Sequence, residues 1–416
     1  MTAGGWVVLV ESNTTGTGRL FCAAARSLGL WPVVLARDPL RYPYLAADSI
    51  EHRVVDTGSA EAILRFCAEL TGPVAAVTSS SEYSVATASE VARVLGLPHP
   101  DPAAVRACRD KARQRRTLMA AGIGCPSFAA AGNPAEAVAA AVRIGFPVVL
   151  KPTAGSGSIG VRRCADAEQV RAAAAAVFDA GPDTLGLPPQ SRVLVEQYLD
   201  GPEFSVETLD DSVVGVTGKH LGPEPYFVET GHDFPARLAA DERDRLGRVA
   251  VSALRALGLA WGPAHTELRW TSRGIRVVEV NPRLAGGMIP RAVELATGID
   301  LIRHAVARAA GLALPVVPLR SAGAAIRFLL PSGPGLLTEV RGLAEAARAP
   351  GVRELVLTAE PGRQLSIRNS FSDRFGYLIS VGEDGWVAAG RAERAMALIE
   401  ARIVPASLVG RGIPNP

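Results

Sequence analysis

Apolar runs alternate with helical periodicity through the first hundred residues. An apolar run at 7–10 precedes a helical pattern at 20–28, a second run at 32–35, a helical pattern at 60–70 and a third run at 74–78. That alternation predicts a parallel α/β unit. Between the first strand and helix, Asn13-Thr14-Thr15-Gly16-Thr17-Gly18 reads as a loop whose amides could face a ligand, although it lacks the third glycine of a dinucleotide fingerprint.

Further along, a helix is expected over 110–121, closed by Gly122, and a short alanine-rich helix leads into Val148-Val149-Leu150-Lys151-Pro152. A glycine-rich loop at 155–160, a helix at 167–179, a Gly/Pro-rich loop at 181–190 and a strand at 193–196 would complete a small unit. Strands at 204–209 and 213–217, a helix at 240–257 and strands at 264–270 and 275–280 predict a second, α+β unit. Short strands and a closing helix at 391–401 are expected in the tail. The fold class is therefore α/β (α+β), divided as 1–110, 111–202 and 203–416.

At 416 residues the chain is too long for one small core. No apolar run approaches the ~20 residues that cross a bilayer and no export signal is seen, so a soluble, cytoplasmic protein without membrane contact is expected. The five cysteines are widely spaced, without a Cys-x-x-Cys pair, which fits a reducing compartment. A net charge of +3 and scattered basic residues argue against nucleic acid as a partner. Lysine is the informative departure: only Lys111, Lys151 and Lys219 remain, and arginine supplies the rest of the positive charge. A compact ammonium in a tight phosphate site cannot be exchanged for a wide guanidinium, so each lysine is a candidate for chemistry.

Three segments carry candidate chemistry. Lys151 ends an apolar strand and precedes a loop containing Ser156, Gly157 and Ser158; such a loop can wrap amides around a polyphosphate while the ammonium supplies full charge. A glycine-rich structural hairpin is the competing reading. In the second segment, Glu196-Gln197-Tyr198-Leu199 runs into a Gly-Pro turn and Glu203. Glu196 or its neighbouring carbonyls could accept from an adenine amino group and Glu203 from ribose hydroxyls, against the alternative of two solvent-facing carboxylates. In the third, Glu279 and Asn281 stand two apart on an extended strand, Arg283 follows two residues on, and Glu267 on a neighbouring strand can complete an all-oxygen site. That set suits Mg²⁺, and Arg283 could hold charge developing on a transferred phosphoryl group; a structural salt bridge is the competitor.

Lys111 within Asp110-Lys111-x-x-x-x-Arg116, the Val-Val-Leu-Lys-Pro strand with its Gly-Ser-Gly-Ser-Ile-Gly-Val loop, Glu196-Gln197-Tyr198-Leu199, Glu203 and Glu279-Val280-Asn281-Pro282-Arg283 occur in the order of the ATP-grasp superfamily. The chain resembles that superfamily over most of its length. Glu229-Thr230-Gly231-His232 resembles the substrate loop of the bacterial L-amino-acid ligases, dipeptide synthetases of the bacilysin synthetase type. The resemblance implies an ATP-grasp fold: an N-terminal parallel α/β domain, a small lid and a C-terminal α+β domain. It implies ATP and two Mg²⁺ ions, with Mn²⁺ as a substitute. Lys111, Lys151 and the loop residues Ser156, Gly157 and Ser158 would contact phosphates, Glu196, Gln197, Tyr198 and Leu199 the adenine, and Glu203 the ribose. Glu267, Glu279 and Asn281 would bind metal; Glu229, His232, Arg283, Gly286 and Gly287 would face substrate, Arg283 also steadying the transition state. No role is assigned to Lys219 or to the 13–18 loop.

The implied activity joins a small-molecule carboxylate, activated as an acyl phosphate, to an amine, with ADP and phosphate released and an amino acid as one substrate. Two rivals stand beside it: a carboxylase-type enzyme that activates bicarbonate, and a non-catalytic ATP-binding partner protein. A homodimer is the base-rate expectation for a soluble enzyme of this size.

Overall fold

The computed structural model describes residues 4–13, 17–155, 157–180 and 191–405. β1 (Trp6–Val10), β2 (Trp31–Ala36), β3 (Glu51–Val54) and β4 (Val74–Thr78) form a parallel sheet in the order β3-β2-β1-β4. Val7 to Val10 and Val33 to Ala36 are buried on both faces, which is why these strands read as unbroken apolar runs. Val8, Val10, Val33 and Leu35 pack against Ile63 and Val91 of two helices on one side. On the other side Val7, Leu9 and Val34 meet Phe21, Ile302 and Val306, and this core continues to Ile326 and Ile379. The N-terminal sheet is thus fused to the rest of the molecule through shared packing. Thr17 and Gly18 belong to the helix Thr17–Ser27 and not to the expected 13–18 loop. A Cβ at Gly18 would lie 1.7 Å from Ser12 Oγ, so only glycine admits the helix so close to β1. Thr14, Thr15 and Gly16 lie outside the described residues.

β5 (Phe128–Ala131), β6 (Val148–Pro152), β7 (Arg162–Cys164) and β8 (Val193–Gln197) form an antiparallel sheet in the order β5-β8-β6-β7. Alternation along β6 and β8 sends Val148, Leu150, Val193 and Val195 into a core under the helices Pro134–Ile144 and Ala167–Phe178. Val149, Lys151 and Glu196 face the opposite way. Asn133 and Asp166 start the two helices by accepting from the amides of Glu136 and Gln169. Their alanines, Ala140, Ala141, Ala173 and Ala174 among them, permit close helix packing. The Gly/Pro-rich loop at 181–190 lies outside the described residues.

The remaining strands are β9 (Glu203–Leu209), β10 (Ser212–Leu221), β11 (Glu229–Phe234), β12 (Pro263–Thr271), β13 (Gly274–Asn281), β14 (Gly323–Leu329), β15 (Gly335–Arg341), β16 (Val352–Leu357), β17 (Gln364–Leu365), β18 (Gly376–Gly382) and β19 (Glu400–Val404). Eight of them form a sheet ordered β13-β12-β9-β10-β11-β14-β18-β16, and β17-β15-β19 form a small second one. The helix Ala240–Leu257 buries Leu246, Ala250 and Leu254 beneath β9, β10, β12 and β13. β10 runs to Leu221, beyond the expected end at 217, because β9 and β11 pair with its two edges.

The closing helix also differs from expectation. It spans Gly385–Met396, with Asp384 accepting from the Val387 amide, and β19 occupies the place of its expected end at 401. Pairing of Ile403 and Val404 with Leu337 and Leu336 of β15 decides this, a long-range contact that local periodicity does not contain. Among the described residues no helix is long and apolar enough to cross a membrane.

Candidate functional site

Between the β5–β8 sheet and the β9–β13 end of the large sheet lies a cleft of about 980 Å³, open to solvent at its mouth. All three lysines of the chain line it.

One wall is set by the helix Lys111–Ala120, which Asp110 starts by accepting from the Arg113 amide. Helical spacing turns Lys111, Gln114, Arg115 and Leu118 inward and leaves Arg116, the motif arginine, exposed. Arg115 is fully buried; its Nε lies 2.7 Å from Glu196 Oε1 and its Nη2 donates to the Val278 carbonyl. Lys151 Nζ sits 2.6 Å from Glu196 Oε2. Burial pushes the Glu196 carboxyl up, but Arg115 and Lys151 more than reverse this and hold it below the usual carboxylate range. Burial lowers the Lys151 ammonium, and Glu196 offsets part of that shift. Both Glu196 oxygens are therefore engaged by cations, so an adenine acceptor in this arrangement would be a neighbouring backbone group.

The cleft floor comes from β9 to β13. Glu267 and Glu279 are direct cross-strand partners, and Asn281 follows two residues along β13. Lys219 on β10 is directly opposite Glu203 on β9. Its Nζ lies 3.0 Å from Glu203, 2.7 Å from Glu229 and 2.8 Å from Glu267. Burial would lower the Lys219 ammonium, but these three carboxylates raise it well above its ordinary range. Lys111 Nζ lies 3.1 Å from Glu279 and donates to the Gly155 carbonyl at 2.7 Å. Arg269 holds the other oxygen of Glu203 at 3.0 Å and donates to the Leu199 carbonyl at 2.7 Å. His265 bridges Glu207 at 2.9 Å and Glu267 at 3.2 Å; burial opposes its protonation, yet the carboxylates lift it to about 9. Arg283 Nε pairs with Glu82 at 3.0 Å, and Arg109 holds Glu82 at 3.2 Å, so the N-terminal unit anchors an arginine of the cleft lining.

Two carboxylates and an amide make a hard, all-oxygen donor set. An ammonium sits against each carboxylate, Lys219 on Glu267 and Lys111 on Glu279, marking where positive charge is stabilised. That set fits Mg²⁺, which takes few protein ligands and completes its octahedron with phosphate and water oxygens. Among the described residues no group of three or more His, Cys, Asp or Glu is arranged to hold a metal.

Tyr198, His232, Gly286 and Gly287 lie off the cleft lining. Tyr198 donates to Glu224 at 2.6 Å, with Arg163 and Arg269 near its ring. His232 stands behind Glu229, with Nε2 3.5 Å from the carboxylate and the ring edge-on to Phe328. Burial lowers it to about 3, and neither ring nitrogen has a hydrogen-bond partner. Gly287, at φ +58°, would place a Cβ 2.7 Å from His232 Nε2, so only glycine fits against that ring; a Cβ at Gly286 would meet open space. Gly157 and Ser158 line the cleft, as do Gln197 and Leu199, while Ser156 lies outside the described residues.

Sequence reasoning missed Arg115, Glu82, Glu207, Arg269 and Arg374. Arg269 had a signal, standing two residues from Glu267 and so on the same strand face. Arg374 had none: it reaches Glu229 at 2.9 Å across 145 residues of sequence.

Fold and cleft together define an ATP-grasp protein, and the comparisons agree. The ATP-grasp domain model matches residues 144–291, and the L-amino acid ligase C-terminal domain 2 model matches residues 327–404. The chain belongs to the ATP-grasp family of ligases. It is 38% identical over 403 residues to uncharacterized protein y4rH of Sinorhizobium fredii, a match covering 96% of this chain and 84% of that one. Carnosine synthase 1 of Gallus gallus is 33% identical over 322 residues, or 72% of this chain and 34% of that much longer protein. Among solved structures, an L-amino acid ligase from Bacillus licheniformis superposes with a TM-score of 0.80 at 21% identity, covering 97% of this chain and all of the other, a likeness of fold.

Proposed function

We propose that the chain uses ATP to join a carboxylate to an amine, at least one of them an amino acid. The carrying observation is the convergence, in a chain of this family, of three lysines, the Glu267–Glu279–Asn281 set and Arg283 on one cleft. Lys111 and Lys151 would hold the polyphosphate, with Gly157 and Ser158 closing over it. Lys219 takes the same class of role, being drawn from its three carboxylates toward phosphate oxygens. Leu199, Gln197 and the backbone beside Glu196 would receive the adenine, and Glu203 the ribose. Glu267, Glu279 and Asn281 would hold the divalent cation, for which Mg²⁺ is the best fit; when bound it neutralises phosphate charge.

The substrate carboxylate attacks the γ-phosphorus, ADP leaves, and an acyl phosphate forms. Arg283, kept protonated beside Glu82, stabilises charge on the transferring group. The amine then attacks the acyl carbon, phosphate leaves with the bonding pair, and the amine proton passes to solvent or phosphate. The β5–β8 sheet acts as a lid that keeps water from the acyl phosphate. Glu229 and His232, with the Gly286–Gly287 turn, would shape the substrate end.

The test mixes protein, Mg-ATP and pools of amino acids and follows phosphate release, with mass spectrometry of the product. Phosphate release that never depends on a carboxylate rejects the reading. Release driven by bicarbonate without any amine would point to a carboxylase instead.

A further inference from the structure

The glycine-rich lid loop is tied to the body of the protein at Gly155, Gly157 and Ser158. Lys111 Nζ donates to the Gly155 carbonyl at 2.7 Å, Ser158 Oγ donates to the Phe227 carbonyl at 2.8 Å, and the Phe371 amide donates to the Gly157 carbonyl at 3.3 Å. The last of these comes from the segment that matches the C-terminal domain 2 model, far along the chain. The Phe371 ring also fills the space beside Gly157: a Cβ there would lie 2.2 Å from a ring carbon, and the glycine stands at φ +66°. Glycine thus lets an aromatic ring close directly on the loop backbone.

Local sequence makes Phe371 a firm support. In Ser370-Phe371-Ser372-Asp373 the Ser370 hydroxyl accepts from the Ser372 amide, and the buried Asp373 accepts from the amides of Arg368 at 2.8 Å and Asn369 at 2.7 Å. Behind this turn Phe375 is buried and its amide donates to the Leu329 carbonyl at 2.9 Å, while Arg374 pairs with Glu229 at 2.9 Å. The ring is therefore carried by the C-terminal core and not by the lid. The ties become unequal once nucleotide binds. Lys111 is the ammonium assigned above to phosphate, so its bond to Gly155 is the one given up. The Ser158 bond is a single neutral contact. Phe371 adds apolar contact to its hydrogen bond, and it engages the Gly157 carbonyl, not the amide that a phosphate would need.

We infer that Phe371 is a positioning residue for the reaction: through it the C-terminal domain holds the lid loop over the nucleotide, so that acyl phosphate meets amine and not water. This rests on the ligase reading above. Where the loop lifts, water cleaves the acyl–phosphate bond, returning carboxylate and phosphate with a proton to solvent, and ATP is consumed without amide.

The experiment uses the full chain as wild type, Phe371→Ala and Phe371→Leu, with Phe371→Gln in place of alanine should that variant melt early. Displacement of a fluorescent, non-hydrolysable ATP analogue with Mg²⁺ gives the nucleotide release rate. Phosphate and amide are counted together on an amino-acid pool that the wild type turns over. Phe371→Ala should release the analogue at least about tenfold faster, the effect of losing a packed aromatic anchor. It should also yield several phosphates per amide where the wild type yields close to one, and Phe371→Leu should restore most of both. A merely structural role would lower phosphate and amide alike and leave their ratio at one, which overturns the assignment. An unaltered release rate overturns it whatever the reaction. Wild type that forms no amide from any pool, with release altered as expected, overturns the ligase reading and leaves the hold of Phe371 on the lid standing.

Discussion

Glu196 is a single carboxylate shared by two buried cations, and the three residues should respond unequally to removal. Arg115 is 0% exposed and Glu196 4%, so solvent cannot replace a lost partner. Breaking a buried pair by deleting one member costs about 3–5 kcal/mol, because the other charge is stranded. Arg115→Met leaves Glu196 still paired with Lys151, which puts the loss at the low end, about 3 kcal/mol. Glu196→Gln strands two cations at once and should cost about 5 kcal/mol. Lys151→Met leaves the Arg115–Glu196 pair intact and removes an ammonium that burial already disfavours, so about 1 kcal/mol is expected. Against a typical stability of about 5–15 kcal/mol, these differences are readily resolved. Urea unfolding of the ligand-free variants is the assay, repeated at high salt, where the ordering should persist since the pair is shielded from counterions. Equal losses for all three, or a milder effect for Glu196→Gln than for Arg115→Met, would refute the shared-carboxylate account.

Stability of the metal-free protein should peak near pH 6.5. His265, raised to about 9, contributes stability that is full below its unfolded value of about 6.5 and is lost as pH climbs through 9. His232, lowered to about 3, contributes stability that is present above about 6.5 and fades as pH falls toward 3, with His304 shifted in the same sense. Denaturant midpoints across pH 4.5–9.5 check this, and His265→Gln should flatten the alkaline side only. Glu279→Ala should lower Mg-dependent phosphate release by at least about 100-fold, more than loss of an outer-sphere partner, with little change in melting temperature; a small kinetic effect would remove Glu279 from the metal set. Gly201→Ala should destabilise by roughly 2 kcal/mol or more, since its φ is +86° and a Cβ would come 2.1 Å from the Trp270 carbonyl; a neutral result in thermal melts would contradict that geometry.

The parallel strands, the lysine strand with its loop and the Glu267–Glu279–Asn281 trio were legible because each rests on local spacing: unbroken apolar runs, a glycine pattern, carboxylate and amide two apart. Glu267 opposite Glu279 is one step beyond that, a register of adjacent strands joined by a short turn. Arg115 was obscured by Arg116, since two adjacent arginines differ only in which side of the helix meets the core. Glu82 on Arg283, Arg374 on Glu229 and β19 on β15 depend on chain segments far apart in sequence, and no periodicity encodes such meetings. Engagement of both Glu196 oxygens was hidden for the same reason.

With Lys111, Lys151 and Lys219 gathered in one cleft, the folded exterior offers amine-selective reagents no lysine side chain elsewhere. Lysine-directed crosslinkers and amine-coupled supports would find only these three lysine ammoniums, each buried against a carboxylate, so lysine labelling of the folded protein should be slow and confined to the cleft. A bound nucleotide should slow it further.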